Sequence, residues 1–294
     1  MEKWAGGDIE RFEVDQRRFY VKRDDLIHPL LSGNKYWKLY ALIHTPPQRY
    51  RTILSYGGTQ SNAMLSIAAL CQQKGWAFRY VAKVMSTHLR NKPSGNLKMA
   101  LSLGMQLQEV AHDRYQGVVA SLVSDEDAGV LLLPQGGADP LAAYGMMRLA
   151  NEVKCWQAQQ GIETLRVVTP SGTGTTAYYL ACAQPDWQVV TTAVVGDAAY
   201  LRLQMEKLGA VPQNITILEP PQTYHFAKPY PELLAQYEAL KQAGIVFDLI
   251  YGSVMWRALL HAMPYMEGDI LYLHSGGLMG QASMLERYQY HRMV

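Results

Sequence analysis

The sequence predicts an α/β protein built from two doubly wound parallel-sheet domains. Short runs of β-branched and aliphatic residues alternate with helix-length amphipathic stretches, and this alternation is typical of parallel sheets with helices on both faces. About ten strand candidates exceed the five or six strands of an average sheet, which favours two sheets over one. The length of 294 residues is sufficient for two medium-sized domains, each with its own core.

Most of the predicted strands and helices are well separated along the chain. Runs of β-branched and aliphatic residues predict strands at 52–56, 80–85, 130–133, 165–169, 189–195, 215–218 and 270–273. Amphipathic stretches predict helices at 62–74, 96–103, 141–159, 175–183, 201–208, 231–242 and 252–263. No biased linker or internal repeat separates these elements, so composition does not mark a domain boundary.

Composition argues against several classes of function. The formal charge of +2 and the scattered lysines and arginines argue against nucleic acid as a partner. No apolar stretch is long enough to span a bilayer, and residues 1–8 lack the apolar core of a signal peptide, so we expect a cytoplasmic protein without membrane contact. Cys71, Cys155 and Cys182 are far apart and the histidines lack metal-ligand spacing, so neither a disulfide framework nor a metal site is expected.

Lys35 occupies an unusual place for a lysine. It follows the turn 32–34 and begins an apolar periodic stretch, which places it in the first turn of a predicted helix. The positive end of the helix dipole disfavours an ammonium group there, and Lys38 on the same face adds like-charge repulsion. Both effects would lower the pKa of Lys35, and a neutral amine is a nucleophile toward aldehydes. Taken alone, a lysine at such a position is most often a solvated side chain at a helix start.

Three junctions that follow predicted strands carry glycines and short polar side chains, at 55–62, 169–176 and 274–277. Glycines allow the backbone to turn sharply and to approach a ligand. The junction 169–176 could hold a phosphate between its backbone N–H groups at the positive end of the next helix. Each junction alone is common in α/β proteins.

Together, the three junctions and Lys35 predict one site at the carboxyl ends of the strands. A phosphate site beside an amine that reacts with aldehydes indicates pyridoxal phosphate as cofactor. The sequence has neither the Gly-rich loop of nucleoside triphosphate binding nor the fingerprint of dinucleotide binding. The alternative is a doubly wound protein that binds a sugar phosphate or nucleotide without covalent chemistry.

Six motifs occur in the order seen in one enzyme family. They lie at 21–25 (Val-Lys-Arg-Asp-Asp), 32–35 (Ser-Gly-Asn-Lys), 57–62 (Gly-Gly-Thr-Gln-Ser-Asn), 95–97 (Gly-Asn-Leu), 248–251 (Asp-Leu-Ile-Tyr) and 274–277 (His-Ser-Gly-Gly). From about residue 20 to about residue 283 the chain resembles the 1-aminocyclopropane-1-carboxylate (ACC) deaminase and D-cysteine desulfhydrase family. The resemblance implies a tryptophan synthase β-like fold (fold type II), pyridoxal phosphate in the cleft between the domains, and a homodimer. It divides the chain into a large pyridoxal phosphate-binding domain, 1–37 and 146–294, and a small α/β domain, 38–145.

The resemblance also implies roles for individual residues. Lys35 would form the Schiff base with pyridoxal phosphate and accept the Cα proton of the substrate. Around the cofactor it implies Lys38 as a phosphate-side cation, Asn62 at the phenolic oxygen, and a phosphate cradle of Ser171, Gly172, Thr173, Gly174 and Thr175. Around the substrate it implies Tyr251 as a second acid or base and Ser61 as a further catalytic residue. It also places Gln60, Ser61 and Asn62 at the first turn of their helix, where backbone N–H groups can hold a carboxylate.

Two departures from the family concern the substrate. ACC deaminases carry a glutamate directly after the motif tyrosine, facing the pyridine nitrogen, where this chain has Gly252. The remaining candidate for that nitrogen is Ser275, whose hydroxyl would leave the ring mostly unprotonated and a weaker electron sink. A second active-site tyrosine of the family is replaced by Phe226. Losing both groups argues against opening of a cyclopropane ring.

We therefore expect a pyridoxal phosphate-dependent lyase or deaminase that acts on a small amino acid. The expected reaction is α,β-elimination like that of D-cysteine desulfhydrase, in which a substituent such as thiolate leaves and the product hydrolyses to pyruvate and ammonia. Two alternatives within the resemblance are an ACC deaminase and a pyridoxal phosphate-binding protein with little catalytic activity.

Overall fold

The computed structural model describes residues 7–125 and 127–291. Ten strands in this part of the chain form two sheets. The strands are β1 (Ile9–Val14), β2 (Arg17–Lys22), β3 (Thr52–Tyr56), β4 (Ala77–Lys83), β5 (Gln106–Val110), β6 (Val130–Leu133), β7 (Leu165–Val168), β8 (Gln188–Thr192), β9 (Ile215–Leu218) and β10 (Asp269–Leu273). The larger sheet has the order β1-β2-β10-β7-β8-β9, and the smaller has the order β5-β4-β3-β6.

Nearly all strand pairs are parallel, as the alternation of elements predicts. The exception is β1, which pairs with β2 as an antiparallel hairpin at the edge of the larger sheet. Its turn holds Asp15 and Gln16 at positive φ, a conformation that non-glycine residues adopt mainly in tight turns. The predicted α/β class with two parallel sheets is confirmed, whereas the hairpin was not predicted.

Twelve α-helices of the described residues connect and cover the strands. They are α1 (Asn34–Lys38), α2 (Tyr40–His44), α3 (Asn62–Lys74), α4 (Thr87–Asn91), α5 (Gly95–Ser102), α6 (Tyr115–Ser121), α7 (Ala142–Gln160), α8 (Thr175–Ala183), α9 (Ala198–Glu206), α10 (Pro231–Gln242), α11 (Tyr251–Ala262) and α12 (Gln281–Tyr290). The helices α3, α8 and α10 have the predicted bounds. Among the described residues, every helix is too short or too polar to cross a membrane.

The larger sheet is buried on both faces. Val167 of β7 faces a core that includes Ala177 of α8. Its neighbour Val168 points to the opposite face, where it joins Phe247 and Trp256. Successive strand residues point to opposite sides of a sheet, so each face has its own apolar layer. A separate core covers the smaller sheet beneath α3 and α5.

The strand order of the larger sheet changes direction at β7. The chain runs outward from β7 through β8 to β9, while its last strand β10 returns to lie between β2 and β7. Ligands of open α/β sheets bind at such a switch point, outside the carboxyl ends of the strands. The junctions 169–174 after β7 and 274–277 after β10 lie at this point. The division into domains at 1–37, 38–145 and 146–294 stays a prediction.

Candidate active site

The turn that carries Lys35 is held against the end of β10. Gly33 has φ of +60°, and a Cβ atom there would lie 2.1 Å from the carbonyl carbon and oxygen of Ser275. Its N–H group also donates to the carbonyl oxygen of Asp24 at 2.8 Å. Only glycine allows both the left-handed backbone and this approach. The motif at 32–35, which carries Lys35, and the junction at 274–277 therefore meet directly.

The amine of Lys35 has a pKa close to neutral pH. Part of the side chain reaches the cleft, but the surrounding protein desolvates the amine and lowers its pKa to about 8, against an opposing effect of the Asp248 carboxylate. Nζ donates to Asn34 Oδ1 at 2.7 Å. The sequence predicted a lowered pKa from the helix dipole and Lys38, whereas burial is the main cause in the structure. About one amine in ten is then neutral at pH 7.

Asn34 connects Lys35 to the start of α8. Its Nδ2 donates to Thr176 Oγ1 at 3.3 Å, while its Oδ1 accepts from Lys35. The same amide thus touches the amine and the helix that follows the predicted phosphate loop. Sequence reasoning assigned Asn34 only to a turn, and its role as a bridge depends on a contact across 142 residues.

The loop before α8 presents unused hydrogen-bond donors. Gly172, Thr173, Gly174 and Thr175 each have a backbone N–H group that donates to no acceptor in the described part of the chain. Gly174 begins the helix at φ of +75° without a side-chain cap. Unpaired N–H groups at the positive end of a helix form an anion site. This arrangement fits the phosphate of pyridoxal phosphate.

Ser171 differs from the rest of the predicted phosphate cradle. Its N–H group donates to the carbonyl oxygen of Thr192, so its backbone extends the sheet. Its hydroxyl lies 2.7 Å from Thr191 Oγ1, and the side chain is buried. Ser171 thus lies at the loop, but its N–H group and its hydroxyl are already hydrogen-bonded within the protein.

Lys38 ends α1, and its amine contacts the loop that packs beside Thr173. Its Nζ donates to the carbonyl oxygen of Gly136 at 3.0 Å, and a Cβ on Gly136 would lie 3.1 Å from the methyl group of Thr173. Burial and the neighbouring Lys35 ammonium lower the pKa of Lys38 well below its ordinary value. A phosphate bound at 172–175 would favour its charged form.

The first turn of α3 supplies a second set of donors. Ser61 caps the helix, since its Oγ accepts from the N–H group of Met64 at 3.3 Å and its own N–H donates to the Gly58 carbonyl. The side-chain amide of Gln60 bonds to residues 94 and 96. The N–H groups of Gln60, Asn62 and Ala63 find no acceptor among the described residues. These backbone groups, rather than the side-chain amide of Gln60, are free for a carboxylate.

Lys35 and Asn62 line one cleft. Its wall includes Ser32, and Gly277 after β10. A Cβ on Gly277 would lie 2.3 Å from Asn62 Nδ2, so the amide of Asn62 packs directly on the last junction. The predicted anchor lysine and the predicted partner of the phenolic oxygen therefore share a cavity.

Tyr251 is the first residue of α11 and faces the phosphate loop. A Cβ on Gly172 would lie 3.4 Å from the Tyr251 hydroxyl, and the ring packs edge-on against Phe226 at 5.9 Å between centroids. Burial, together with the carboxylate of Asp248, raises the pKa of Tyr251 above its ordinary value. The phenol therefore keeps its proton at neutral pH and is a hydrogen donor.

Position 252 has no room for the glutamate of ACC deaminases. A Cβ on Gly252 would lie 2.8 Å from the Cβ of Phe247 and 3.3 Å from Asp248 Oδ2. Asp248 accepts hydrogen bonds from the N–H groups of Ile250, Tyr251 and Gly252, which anchors the start of α11. The space is thus occupied by this chain's own capping residue, for which the sequence analysis gave no role.

The end of β10 is shaped by a neutral histidine. His274 accepts from the N–H group of Gly276 through Nδ1 and donates to the carbonyl of Val246 through Nε2. Burial lowers the pKa of His274, and one accepting and one donating nitrogen match the neutral ring. Ser275 follows it and is half-buried, with its backbone against Gly33. Direct contact of Ser275 with a cofactor stays a prediction.

Comparisons with known proteins agree with this arrangement. No family model matches the chain. It is 26% identical over 289 residues to a putative ACC deaminase of Thermotoga maritima, covering 89% of each chain. It is 25% identical over 350 residues to the putative mitochondrial D-cysteine desulfhydrase 2 of Oryza sativa, covering 98% of this chain and 84% of the relative.

A solved structure supports the fold. The crystal structure of an ACC deaminase homologue superposes with a TM-score of 0.72 at 19% identity, covering 96% of this chain and 94% of the other. At this identity the superposition establishes architecture alone. The chain is therefore a homologue of proteins named ACC deaminase and D-cysteine desulfhydrase, and it has the tryptophan synthase β-like fold that its motifs predicted.

Proposed function

We propose that this protein is a pyridoxal phosphate-dependent enzyme that removes a β-substituent from a small amino acid, giving pyruvate and ammonia. The proposal depends on one arrangement: the amine of Lys35 lies near a loop whose backbone N–H groups can bind an anion. Burial lowers the pKa of Lys35 to about 8, and Asn34 joins Lys35 to the helix α8. The N–H groups of the preceding loop, 172–175, find no acceptor among the described residues.

The residues present fit the cofactor. Lys35 would hold it covalently, and the N–H groups of 172–175 would hold its phosphate, with Lys38 alongside. Asn62, in the same cleft as Lys35, would donate to the phenolic oxygen. The hydroxyl of Ser275 would meet the pyridine nitrogen.

When bound, pyridoxal phosphate supplies an aldehyde that captures the substrate amine and a ring that withdraws electrons from Cα. Lys35 would accept the Cα proton of the substrate at Nζ, a role that suits an amine with a pKa of about 8. The free N–H groups of Gln60, Asn62 and Ala63 orient the substrate carboxylate. Tyr251, protonated at neutral pH, donates its proton to the departing β-substituent.

The occupied space at Gly252 favours elimination over ring opening. Phe247 and Asp248 exclude a glutamate there, so no carboxylate at this position holds a proton on the pyridine nitrogen. A less electron-withdrawing ring suits a substrate with a good leaving group such as thiolate. For a cysteine-like substrate, one water is consumed, and pyruvate, ammonia and hydrogen sulfide are released.

We also propose that the protein is a homodimer, as the resemblance implies. Leu141, Tyr144 and Met147, at or just before α7, are 36%, 50% and 51% exposed, which supports an apolar contact there. Light scattering should give twice the chain mass of 33.0 kDa, and a mass of one chain would reject this point.

The decisive experiment measures cofactor capture and product release together. Wild-type protein mixed with pyridoxal phosphate should gain a visible absorption band that is lost in Lys35→Ala. Lys74→Ala is a matched control, because the pKa of Lys74 is also lowered by burial but its amine binds the carbonyl groups of Ile43 and Thr45. This control should keep the band.

Release of the 2-oxo acid product is then screened over ACC, D-cysteine, L-cysteine, D-serine and chloroalanine. The last four substrates would give pyruvate, whereas the four-carbon ACC would give 2-oxobutanoate. Pyruvate from any of the last four without 2-oxobutanoate from ACC supports elimination, and release of 2-oxobutanoate from ACC alone would identify an ACC deaminase. A normal band without release from any substrate would indicate a binding protein. A wild-type protein that gains no band would refute pyridoxal phosphate as the cofactor.

A further inference from the structure

We infer that Asn96 is a positioning residue that fixes the amide of Asn62 with its N–H group, rather than its carbonyl oxygen, facing the Lys35 cleft. The inference rests on the proposed function, because it concerns how Asn62 meets the phenolic oxygen of pyridoxal phosphate. Asn96 lies in the first turn of α5 and is 0% exposed. It reaches no cavity itself and acts through its neighbour.

Both N–H bonds of the Asn96 amide are in use. Nδ2 donates to the carbonyl oxygen of Gln60 at 3.0 Å and to Asn62 Oδ1 at 2.7 Å. Its backbone N–H donates to Gln60 Oε1 at 3.0 Å, and Gln60 Nε2 donates to the Ser94 carbonyl at 3.1 Å. The turn before α3 and the start of α5 are thus joined by four hydrogen bonds.

The backbone carbonyl of Gln60 sets the direction of the whole chain of bonds. A carbonyl oxygen can only accept, so the atom of Asn96 that faces it must be the nitrogen. The second N–H of that nitrogen then requires an acceptor, which Asn62 supplies as Oδ1. Nδ2 of Asn62 is left over, and it donates to no described residue.

The reversed arrangement is unfavourable. Turning the Asn96 amide over would set its Oδ1 against the Gln60 carbonyl, placing two acceptors together in a buried site. The polarity is therefore fixed by the backbone and does not depend on a bound ligand.

The free Nδ2 of Asn62 points toward the cleft. It packs on Gly277, whose Cβ position is 2.3 Å away, and both residues line the cavity that contains Lys35. A donor here stabilises negative charge on the phenolic oxygen of pyridoxal phosphate, whereas an amide oxygen would repel it. Asn96 thus determines the sign of the interaction without touching the cofactor.

A double-mutant cycle with Asn62→Ala, Asn96→Ala and the double variant tests the inference. The readouts are the dissociation constant of pyridoxal phosphate and the pH midpoint of the visible band. Each single variant should weaken binding about tenfold, the value of one charge-assisted hydrogen bond. Each should also raise the midpoint by about one pH unit, because an unsupported oxyanion holds the proton of the lysine-linked nitrogen more strongly.

The double variant should be no worse than Asn62→Ala, since Asn96 has nothing left to orient. Additive losses of about a hundredfold, or an unchanged midpoint in Asn96→Ala, would show that Asn96 only supports the fold. If Asn96→Ala does not fold, the nearly isosteric Asn96→Asp replaces it, because a carboxyl group has at most one proton to donate. Failure of both variants to fold would overturn the inference, and a wild-type protein without the band would overturn the proposed function as well.

Discussion

Replacing Gly33 with alanine should separate the Lys35 turn from the end of β10. The new Cβ would meet the carbonyl carbon and oxygen of Ser275 at 2.1 Å. These are backbone atoms, so a change of rotamer cannot relieve the clash. The backbone must retreat by about 1.3 Å to restore an ordinary contact of 3.4 Å, and Lys35, two residues on, moves with it.

Two contributions determine the expected loss of stability. A non-glycine residue at φ of +60° and ψ of −144° lies outside the left-handed α region and costs about 1–3 kcal/mol, and overpacking of a rigid contact adds about 1–3 kcal/mol. The free energy of unfolding should therefore fall by about 2–6 kcal/mol. Because a displacement of about 1 Å in a catalytic group can cost about a hundredfold in rate, pyruvate release should fall by that order.

Gly161→Ala is the matched control for this prediction. Gly161 has φ of +67°, but its Cβ position is surrounded by open space, so this variant should lose only the backbone contribution of about 1–2 kcal/mol. Urea unfolding followed by circular dichroism gives both losses. Should Gly33→Ala lose no more stability than Gly161→Ala and release pyruvate at the wild-type rate, the coupling between the two junctions would be disproved.

Three further predictions concern titration and proton transfer. The rate of pyridoxal phosphate capture should rise about tenfold per pH unit and level off above about pH 8, since only the neutral amine of Lys35 reacts. Stopped-flow absorbance measures this rate, and a rate that does not change with pH would contradict the prediction. Tyr251→Phe keeps the ring contact with Phe226 but removes the proton donor. The kcat should therefore fall about 10²-fold while the affinity for the cofactor stays unchanged. An unchanged kcat would show that Tyr251 donates no proton in the reaction. Burial raises the pKa of Asp24 to about 6, so the folded state binds the proton of Asp24 more tightly than the unfolded state does. Protonation therefore stabilises the fold at low pH, and this contribution is lost as the pH rises from about 4 to 6. Over that range wild type should lose about 3 kcal/mol relative to Asp24→Asn in urea unfolding, and parallel stability curves would refute the assignment.

Local signals were sufficient to predict most helices. Helix α3 has the predicted bounds because Ser61 caps its first turn and Gly75 ends it in the left-handed conformation. Strand β5, with the sequence Gln-Leu-Gln-Glu-Val, was missed because it lies at the edge of its sheet and exposes alternate residues. The hairpin of β1 and β2 was missed for a similar reason, since its polar edge lacks an aliphatic run.

The site was less accessible to sequence reasoning than the fold. The motifs identified Lys35 and Asn62, and the structure places both in one cleft. The cause of the lowered pKa of Lys35 could not be predicted, because burial is set by elements far along the chain. The roles of Asp248 and Asn96 also escaped prediction: each lies within a recognised motif, but its function depends on which atom of a distant residue it meets.

The position of β10 between β2 and β7 has a consequence for synthesis of the protein. Strand β2 ends at residue 22 and β10 begins at residue 269, so a ribosome that adds about 5–20 residues per second needs roughly 10–50 s to make the strand that joins them. Until then the Lys35 turn lacks the backbone of Ser275 against which it packs. The nascent chain therefore carries Lys35 for most of this interval before the turn around it can pack in place.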